Sequence, residues 1–248
     1  MDDKSIALVT GANAGLGKQV AKDLVGHGYT VLVGARDLAK GETAAREIGE
    51  RAIALQLDVT DPASVATAAE RVRKEFGRVD LLVNNAAIVQ SGRYDSAEEV
   101  LAASMASAAS LDEIRAIFET NVLGPLAVTQ AFLPLMRSST AGRIVNVSSG
   151  IGSLTLNSDP SFPFRPYFGV TYPASKTALN AVTLALAIEL EDSGIKVRAV
   201  SPSFTATALN GFQGTDSVEV GARPIVLAAL DTESPTGSFT GPDGNYPW

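Results

Sequence analysis

Residues 5–17 read SIALVTGANAGLG, and this stretch decides the fold. A short apolar run typical of a β-strand ends where a glycine-rich segment begins, and apolar residues at helical spacing follow directly. Glycine at position 11 permits a tight turn, Gly15 lets the backbone approach a pyrophosphate, and Gly17 permits close packing of helix against strand. The stretch therefore predicts a phosphate-binding turn between a strand and a helix, with a plain glycine-rich turn as the alternative.

The rest of the chain continues this alternation of strands and helices. Five further apolar runs are predicted strands: 29–33, 53–57, 79–83, 142–147 and 195–200. Asp61 followed by Pro62 is typical of a helix start between two of them. Nearly continuous apolar strands separated by helices predict a parallel sheet buried on both faces. With 248 residues and no linker, residues 1–248 are predicted to form a single α/β domain with a doubly wound sheet.

Composition excludes several chemistries. The 20 Lys and Arg against 27 Asp and Glu give a net charge of −7, which argues against nucleic acid as a partner. The absence of Cys and the single histidine, His27, argue against a metal site and a cysteine nucleophile. The acidic start, Met1–Lys4, does not resemble a secretory signal, and no apolar run is long enough to span a membrane. We therefore expect a soluble cytoplasmic protein without metal.

Further motifs follow the glycine loop in a fixed order. They are Asp58-Val59, the sequence NNAA at 84–87, TNV at 120–122, IVNVSS at 144–149 and YPASK at 172–176. With a loop of the form Gly-x-x-x-Gly-x-Gly, this order resembles the short-chain dehydrogenase/reductase family along the whole chain. Arg36 after the second strand, the wide gap before Tyr172 and the terminal Trp248 resemble its carbonyl reductase branch. The resemblance implies a Rossmann-type fold and an oxidoreductase.

The YPASK motif places two reactive side chains on one helix face. Tyr172 and Lys176 are four residues apart, and Pro173 suits the first turn of a helix. A nearby ammonium favours a phenolate, so we expect Lys176 to lower the pKa of Tyr172. The resemblance implies that Tyr172 is the general acid in carbonyl reduction, that Ser149 binds the substrate oxygen, and that Asn121 holds a water linked to Lys176.

The same resemblance implies a dinucleotide site. The expected cofactor-binding residues are Gly11, Asn13, Gly15, Leu16, Gly17, Arg36, Asp58, Val59, Asn85, Ala86, Tyr172, Lys176, Pro202, Thr205 and Thr207. Arg36 stands where a basic side chain would bind the 2′-phosphate of NADP, so NADP(H) is favoured over NAD(H). Asp37 complicates this preference, because Arg36 and Asp37 could instead form a surface ion pair.

Two predicted insertions, near 90–110 and 150–171, and a substrate loop near 203–217 lie outside the regular alternation. The aromatic residues of the second insertion predict either a wall for an apolar substrate or a cluster that anchors the loop. The expected substrate pocket contains Ser149, Ile151, Phe168, Phe204 and Phe212. Ser203 stands where the family pattern has a glycine, so the resemblance does not predict the backbone conformation of this loop. In the carbonyl reductase branch a longer insertion blocks tetramer assembly, and here monomer and homo-oligomer both stay open.

The expected function is reduction of a ketone, aldehyde or quinone of modest size with NADPH. An oxoacyl-type reductase and an NAD-dependent alcohol dehydrogenase of the same family are alternatives. A non-catalytic protein that senses NADP is an alternative of a different class. The substrate, the stereochemistry and the direction of the reaction are not predicted.

Overall fold

The computed structural model describes residues 5–248, so the expectation about Met1–Lys4 lies outside the described residues. Eight strands form one sheet in the order β3-β2-β1-β4-β5-β6-β7-β8. They are β1 (Ile6–Val9), β2 (Thr30–Ala35), β3 (Ala52–Gln56), β4 (Leu81–Asn84), β5 (Arg143–Val147), β6 (Lys196–Val200), β7 (Phe239–Gly241) and β8 (Gly244–Asn245). All neighbours run parallel except β7 and β8, which pair antiparallel. The predicted single α/β domain with a doubly wound sheet is confirmed.

Helices cover both faces of the sheet. They are α1 (Gly15–Gly26), α2 (Leu38–Ile48), α3 (Pro62–Glu75), α4 (Ala97–Ser104), α5 (Leu111–Phe118), α6 (Gly124–Met136), α7 (Leu154–Ser158), α8 (Tyr172–Glu189) and α9 (Val218–Leu230). A single π-helical turn, Glu119–Leu123, joins α5 to α6. As predicted, α3 begins at Pro62, with the Asp61 carboxylate accepting a hydrogen bond from the backbone of Ala63 at 2.9 Å.

Alternating strand residues build two separate cores. On one face Leu8, Leu82 and Ile144 pack with Phe132 of α6 and other side chains of α3, α6 and α8. On the other face the intervening strand residues, such as Val83, pack with α1, α2 and α9. Because both faces are covered, the strands read as nearly continuous apolar runs in the sequence.

The strand order reverses between β1 and β4, and this reversal opens a crevice at the carboxyl ends of the strands. The loops that follow β1, β4, β5 and β6 all meet at this edge, and they carry the predicted site residues. Along residues 5–248, no helix is both long and apolar enough to cross a membrane.

The predicted strands correspond to β1–β6, whereas β7 and β8 were not predicted. The first insertion contains α4, and the second contains α7 between 3-10 turns at Gly150–Gly152 and Arg165–Tyr167. Both insertions pack on the sheet's carboxyl rim instead of forming a separate unit, as their contacts with site residues below make clear.

Candidate active site

The glycine loop has the conformation that its sequence predicts. Gly11 and Gly15 adopt φ values of +62° and +54°, in the left-handed region that disfavours side chains. A Cβ at Gly17 would lie 2.6 Å from the carbonyl oxygen of Gly11 and 2.4 Å from Asn85 Nδ2. The loop therefore depends on glycine at all three positions.

The N-terminus of α1 is open to an anion. Its N-cap residue, Ala14, supplies no side-chain cap, and the first turn contains no acidic residue. The first backbone N–H groups are therefore left for a ligand, where the helix dipole favours negative charge. Thr207, buried in the loop after β6, lies across from Gly15, with its Cγ2 3.7 Å from the position of a Cβ there. These residues fit the pyrophosphate of a dinucleotide.

Thr10 connects this loop to the segment after β4. Its hydroxyl oxygen accepts hydrogen bonds from the backbone N–H groups of Asn85 at 2.9 Å and Ala86 at 3.0 Å. The Asn85 side chain donates in return to the carbonyl oxygens of Thr10 and Gly11 at 2.9 and 3.3 Å. Asn85 therefore supports the glycine loop, and Ala86 packs against Gly11.

The residues predicted at the adenosine end line the carboxyl ends of β2 and β3. Arg36 is exposed and makes no ion pair with any described residue, whereas Asp37 caps α2 by accepting from the backbone N–H of Lys40 at 3.2 Å. The surface pair between Arg36 and Asp37 is therefore absent from residues 5–248. Asp58 accepts from the backbone and hydroxyl of Thr60 through one oxygen, at 3.0 and 2.7 Å, and Val59 is buried.

The two serines after β5 have different environments. Ser148 is buried and donates its hydroxyl hydrogen to Asn180 Oδ1 at 2.6 Å, so it is committed to α8. Ser149 is half-buried, its hydroxyl accepts from the backbone of Ile151 at 3.4 Å, and it lies close enough to Tyr172 to lower the pKa of that phenol. The structure thus places Ser149, the residue predicted from the register, beside Tyr172.

Tyr172 opens α8, and the Lys176 Nζ lies 5.4 Å from the centre of its ring. Lys176 is 3% exposed and donates to the carbonyl oxygen of Val147 at 2.8 Å. Burial lowers the pKa of Lys176 to about 7, since the low-dielectric surroundings disfavour the ammonium.

Burial also raises the pKa of Tyr172 to about 12, although the hydrogen bond with Ser149 acts in the opposite direction. The expected lowering of this pKa by Lys176 is therefore wrong, because desolvation of the phenol outweighs other effects on Tyr172.

Asn121 lies fully buried in the π-helical turn. Its Oδ1 accepts from the backbone N–H of Ile88 at 2.9 Å, and its Nδ2 donates to the carbonyl oxygen of Ile88 at 2.8 Å and to Ser175 Oγ at 3.0 Å. Ser175 Oγ in turn donates to the carbonyl oxygen of Tyr172 at 2.6 Å. Both amide hydrogens of Asn121 are thus used within the protein, and its side chain holds the start of α8 in place, while the expected water linked to Lys176 stays a prediction.

The two insertions meet immediately before Tyr172. The backbone N–H of Val170 donates to the carbonyl oxygen of Ser104, the last residue of α4, at 2.8 Å. A Cβ on Gly169 would lie 2.5 Å from that same oxygen. Trp248 secures the other end of the second insertion, because its carbonyl oxygen accepts from Thr155 and its ring stacks on Phe239 at 5.3 Å.

The loop after β6 accommodates Ser203 without a left-handed backbone. Pro202 is half-buried, and Thr205 is buried and donates its hydroxyl hydrogen to the carbonyl oxygen of Ser203 at 2.9 Å. Phe204 lies 6.3 Å, centre to centre, from the ring of Phe164 in the second insertion.

Other predicted members of the site are half-buried in the same region: Asn13, Leu16 and Ile151. Phe168 is exposed at 36%, which leaves its assignment to the pocket a prediction.

The prediction for Phe212 needs correction. Phe212 has a φ of +61°, is 69% exposed, and lines a cavity beside the glycine loop with Ala14, Gly15 and Lys18. It therefore lies on the phosphate-loop side, apart from the Phe164–Phe204 contact. Gly211 before it has the same φ of +61°, so the chain turns here in a way that alternation of apolar residues does not reveal.

Sequence reasoning missed Thr10, Ser104 and Ser175 as structural partners of the site. The role of Thr10 could have been predicted from the sequence, because it is a hydroxyl residue between the end of a strand and the glycine loop. Ser175 lies inside the YPASK motif, of which only Tyr172 and Lys176 were predicted to be functional. Ser104 carried no signal, because its partner is 66 residues away in the second insertion.

The model of the short chain dehydrogenase family matches residues 5–217 of this chain. The chain belongs to the short-chain dehydrogenase family. Its relatives include short-chain dehydrogenase anuI of Penicillium roqueforti, 36% identical over 92% of this chain and 89% of the relative. The (+)-neomenthol dehydrogenase of Arabidopsis thaliana is 34% identical over 94% of each chain. The protein is therefore an oxidoreductase of this family.

Solved structures agree with this assignment. Salutaridine reductase from Papaver somniferum superposes with a TM-score of 0.80, at 29% identity over 95% of this chain and 99% of that chain. The NADPH-bound carbonyl reductase from chicken fatty liver shares the fold, with a TM-score of 0.82 at 24% identity over 99% of both chains. Within residues 5–248, no cluster of three or more His, Asp or Glu could bind a metal.

We predict that Gly17→Ala weakens dinucleotide binding at least about tenfold, because the new Cβ must displace Gly11 or Asn85 from the phosphate loop. Quenching or enhancement of NADPH fluorescence in a titration measures the affinity. Gly26→Ala is the control, since nothing lies within 4 Å of a Cβ added there on the same helix. Equal affinity in the Gly17 variant and the wild type would contradict this account of the loop.

Lys176→Met should stabilise the fold most at low pH. The pKa of Lys176 falls from 10.5 to about 7 on folding, so between these values the unfolded chain binds more protons and wild-type stability rises with pH. The advantage of the Met variant should therefore shrink by about 2 kcal/mol between about pH 7 and about pH 9. Urea unfolding at both pH values measures it, with the exposed Lys40→Met as control. A pH-independent difference would disprove the burial cost.

Proposed function

We propose that this protein reduces the carbonyl group of small apolar ketones, aldehydes or quinones to an alcohol, with NADPH as cofactor. The observation that carries the proposal is the position of Tyr172 at the start of α8, with the Lys176 Nζ 5.4 Å from its ring centre and Ser149 close enough to influence its pKa. A general acid must hold its proton at the working pH and lie within reach of the oxygen that it protonates.

Ser149, Tyr172 and Lys176 would have different roles in this reduction. Ser149 and Tyr172 would both hydrogen-bond this oxygen, which orients the carbonyl and stabilises the negative charge that develops on it. Bound NADPH would supply the hydride to the carbonyl carbon. Tyr172 would give its phenolic proton to the oxygen as the alcohol forms.

Lys176 would restore the proton to Tyr172. With a pKa near 7 for Lys176 and near 12 for Tyr172, transfer from the ammonium to a phenolate runs strongly downhill. The ammonium donates to the Val147 carbonyl oxygen and has other hydrogens left for a cofactor hydroxyl or a water. Asn121 and Ser175 would act as positioning residues, since they contact the backbone of the helix that carries both groups.

The NADPH preference rests on Arg36. Its guanidinium has no ion-pair partner among residues 5–248, and it follows the strand whose end approaches the adenosine ribose in folds of this kind. A 2′-phosphate would give it a charge-assisted, bidentate partner. Asp37 does not oppose this role, because its carboxylate is engaged at the N-terminus of α2.

The relatives support a reductase of small organic molecules, since they include a neomenthol dehydrogenase and a salutaridine reductase. Action in the cytoplasm and the assembly state stay predictions. A sensor without turnover is the remaining alternative of a different class.

The first test measures NADPH oxidation with purified protein and a panel of ketones, aldehydes and quinones. Tyr172→Phe should lower kcat by at least about a hundredfold, because it removes the proton donor, while NADPH affinity stays within about twofold. Tyr167→Phe, an exposed tyrosine of the second insertion, is the matched control. Unchanged turnover in the Tyr172 variant would refute the mechanism, and NADPH binding without any turnover in the wild type would favour the sensor.

Arg36→Ala should raise KM for NADPH about tenfold or more and leave KM for NADH within about twofold, since only NADPH offers a 2′-phosphate. Parallel steady-state kinetics with the two cofactors measure this difference. Arg46→Ala, an exposed arginine in the last turn of α2 that bonds Thr43, is the control. Equal effects on both cofactors would rule out the NADP assignment.

A further inference from the structure

Two chain segments at the rim of the site are joined at two separate points. The second insertion, residues 150–171, runs between Ser149 and Tyr172, and the loop 203–217 follows β6. At their base, the backbone N–H of Gly150 donates to Ser201 Oγ at 2.9 Å. Near their tips, the rings of Phe164 and Phe204 lie 6.3 Å apart with an interplanar angle of 55°. Gly150, the neighbour of Ser149, is thus bonded to the residue two positions before the loop, and the two segments meet again at the Phe164–Phe204 pair.

Hydrogen bonds hold the backbone near both Phe164 and Phe204. The carbonyl oxygen of Phe204 accepts from the N–H groups of Thr215 at 2.8 Å and Asp216 at 3.0 Å. Phe164 is flanked by Phe162, whose ring meets it edge-on at 5.8 Å, and by Arg165, whose Nε donates to the carbonyl oxygen of Asn157 at 3.0 Å. The backbone that carries each ring is therefore held by hydrogen bonds within its own segment.

The Phe164–Phe204 pair is not a packed core contact. Phe164 is 46% and Phe204 47% exposed, so about half of each ring is left for another apolar surface. The charged side chains of the two segments are Asp159, Arg165 and Asp216. Asp159 accepts hydrogen bonds from Ser161, and the Arg165 guanidinium donates to the carbonyl oxygen of Asn157, whereas the half-exposed rings offer an apolar frame a surface to contact.

We infer that Phe164 and Phe204 act together as the specificity-determining pair of the site, and that they select uncharged carbonyl compounds whose ring framework is wide enough to contact both phenyl groups. This inference rests on the proposed function and narrows its substrate class. On this inference a short aliphatic ketone would contact Ser149 and Tyr172 alone, whereas a bicyclic ketone bound by them would also extend to the two rings.

The test compares kcat/KM for decalone, a bicyclic ketone, with kcat/KM for butanone in the presence of saturating NADPH. The wild type should prefer decalone. Phe164→Ala and Phe204→Ala should each lower the ratio about tenfold, the size expected when a hydrophobic contact to the larger ketone is lost. The double variant should lose little more than either single one, because both rings form a single contact surface.

Tyr167→Ala is the matched control, as an aromatic residue of the same insertion that is 54% exposed and forms no ring contact with any described residue. Its ratio should equal that of the wild type. A lower Tm with an unchanged ratio in the Phe variants would assign the pair to loop anchoring and overturn the inference, as would fully additive losses. Absence of turnover of either ketone by the wild type would instead overturn the proposed function, and this inference with it.

Discussion

The desolvation of Lys176 is the constraint on which the rest of the site depends. Its amine is almost completely buried, and no carboxylate among residues 5–248 pairs with it. Among the described residues, its only hydrogen-bond acceptor is the carbonyl oxygen of Val147. An unpaired buried cation is costly, so the pKa falls to about 7 and the amine exchanges its proton near neutrality. The free-energy cost of burying the Lys176 ammonium is therefore what brings its pKa close to neutrality.

A buried network of hydrogen bonds fixes the positions of the groups around Lys176. Asn121 joins the backbone of Ile88 to Ser175, and Ser175 holds the first turn of α8. A π-helical turn carries Asn121, and such turns shift the hydrogen-bond register by one residue. These contacts link the segment after β4, which supports the phosphate loop, to the helix with Tyr172 and Lys176. Neutral hydrogen bonds therefore connect the glycine loop to the helix that carries Tyr172 and Lys176, without a further charge.

Local features of the site could be predicted from the sequence, and depth of burial could not. The glycine loop was predictable because each glycine answers a local requirement of the backbone, as Gly11 and Gly15 show. Spacing on a helix placed Lys176 beside Tyr172 correctly, but spacing says nothing of desolvation, which set the sign of the Tyr172 pKa shift. The contact between Ser104 and Val170 joins distant insertions, and β7 and β8 have only three and two residues, too short for a periodic signal.

The two pKa values also bear on the direction of the reaction. In the proposed reduction Tyr172 would begin in its protonated form, which its raised pKa favours, and would end as a phenolate that the Lys176 ammonium could reprotonate. In the proposed reverse reaction, alcohol oxidation would begin with the phenolate, which burial of Tyr172 disfavours. The protein alone therefore favours the acid form of Tyr172, and on this proposal a positively charged, oxidised nicotinamide would make the base form more accessible.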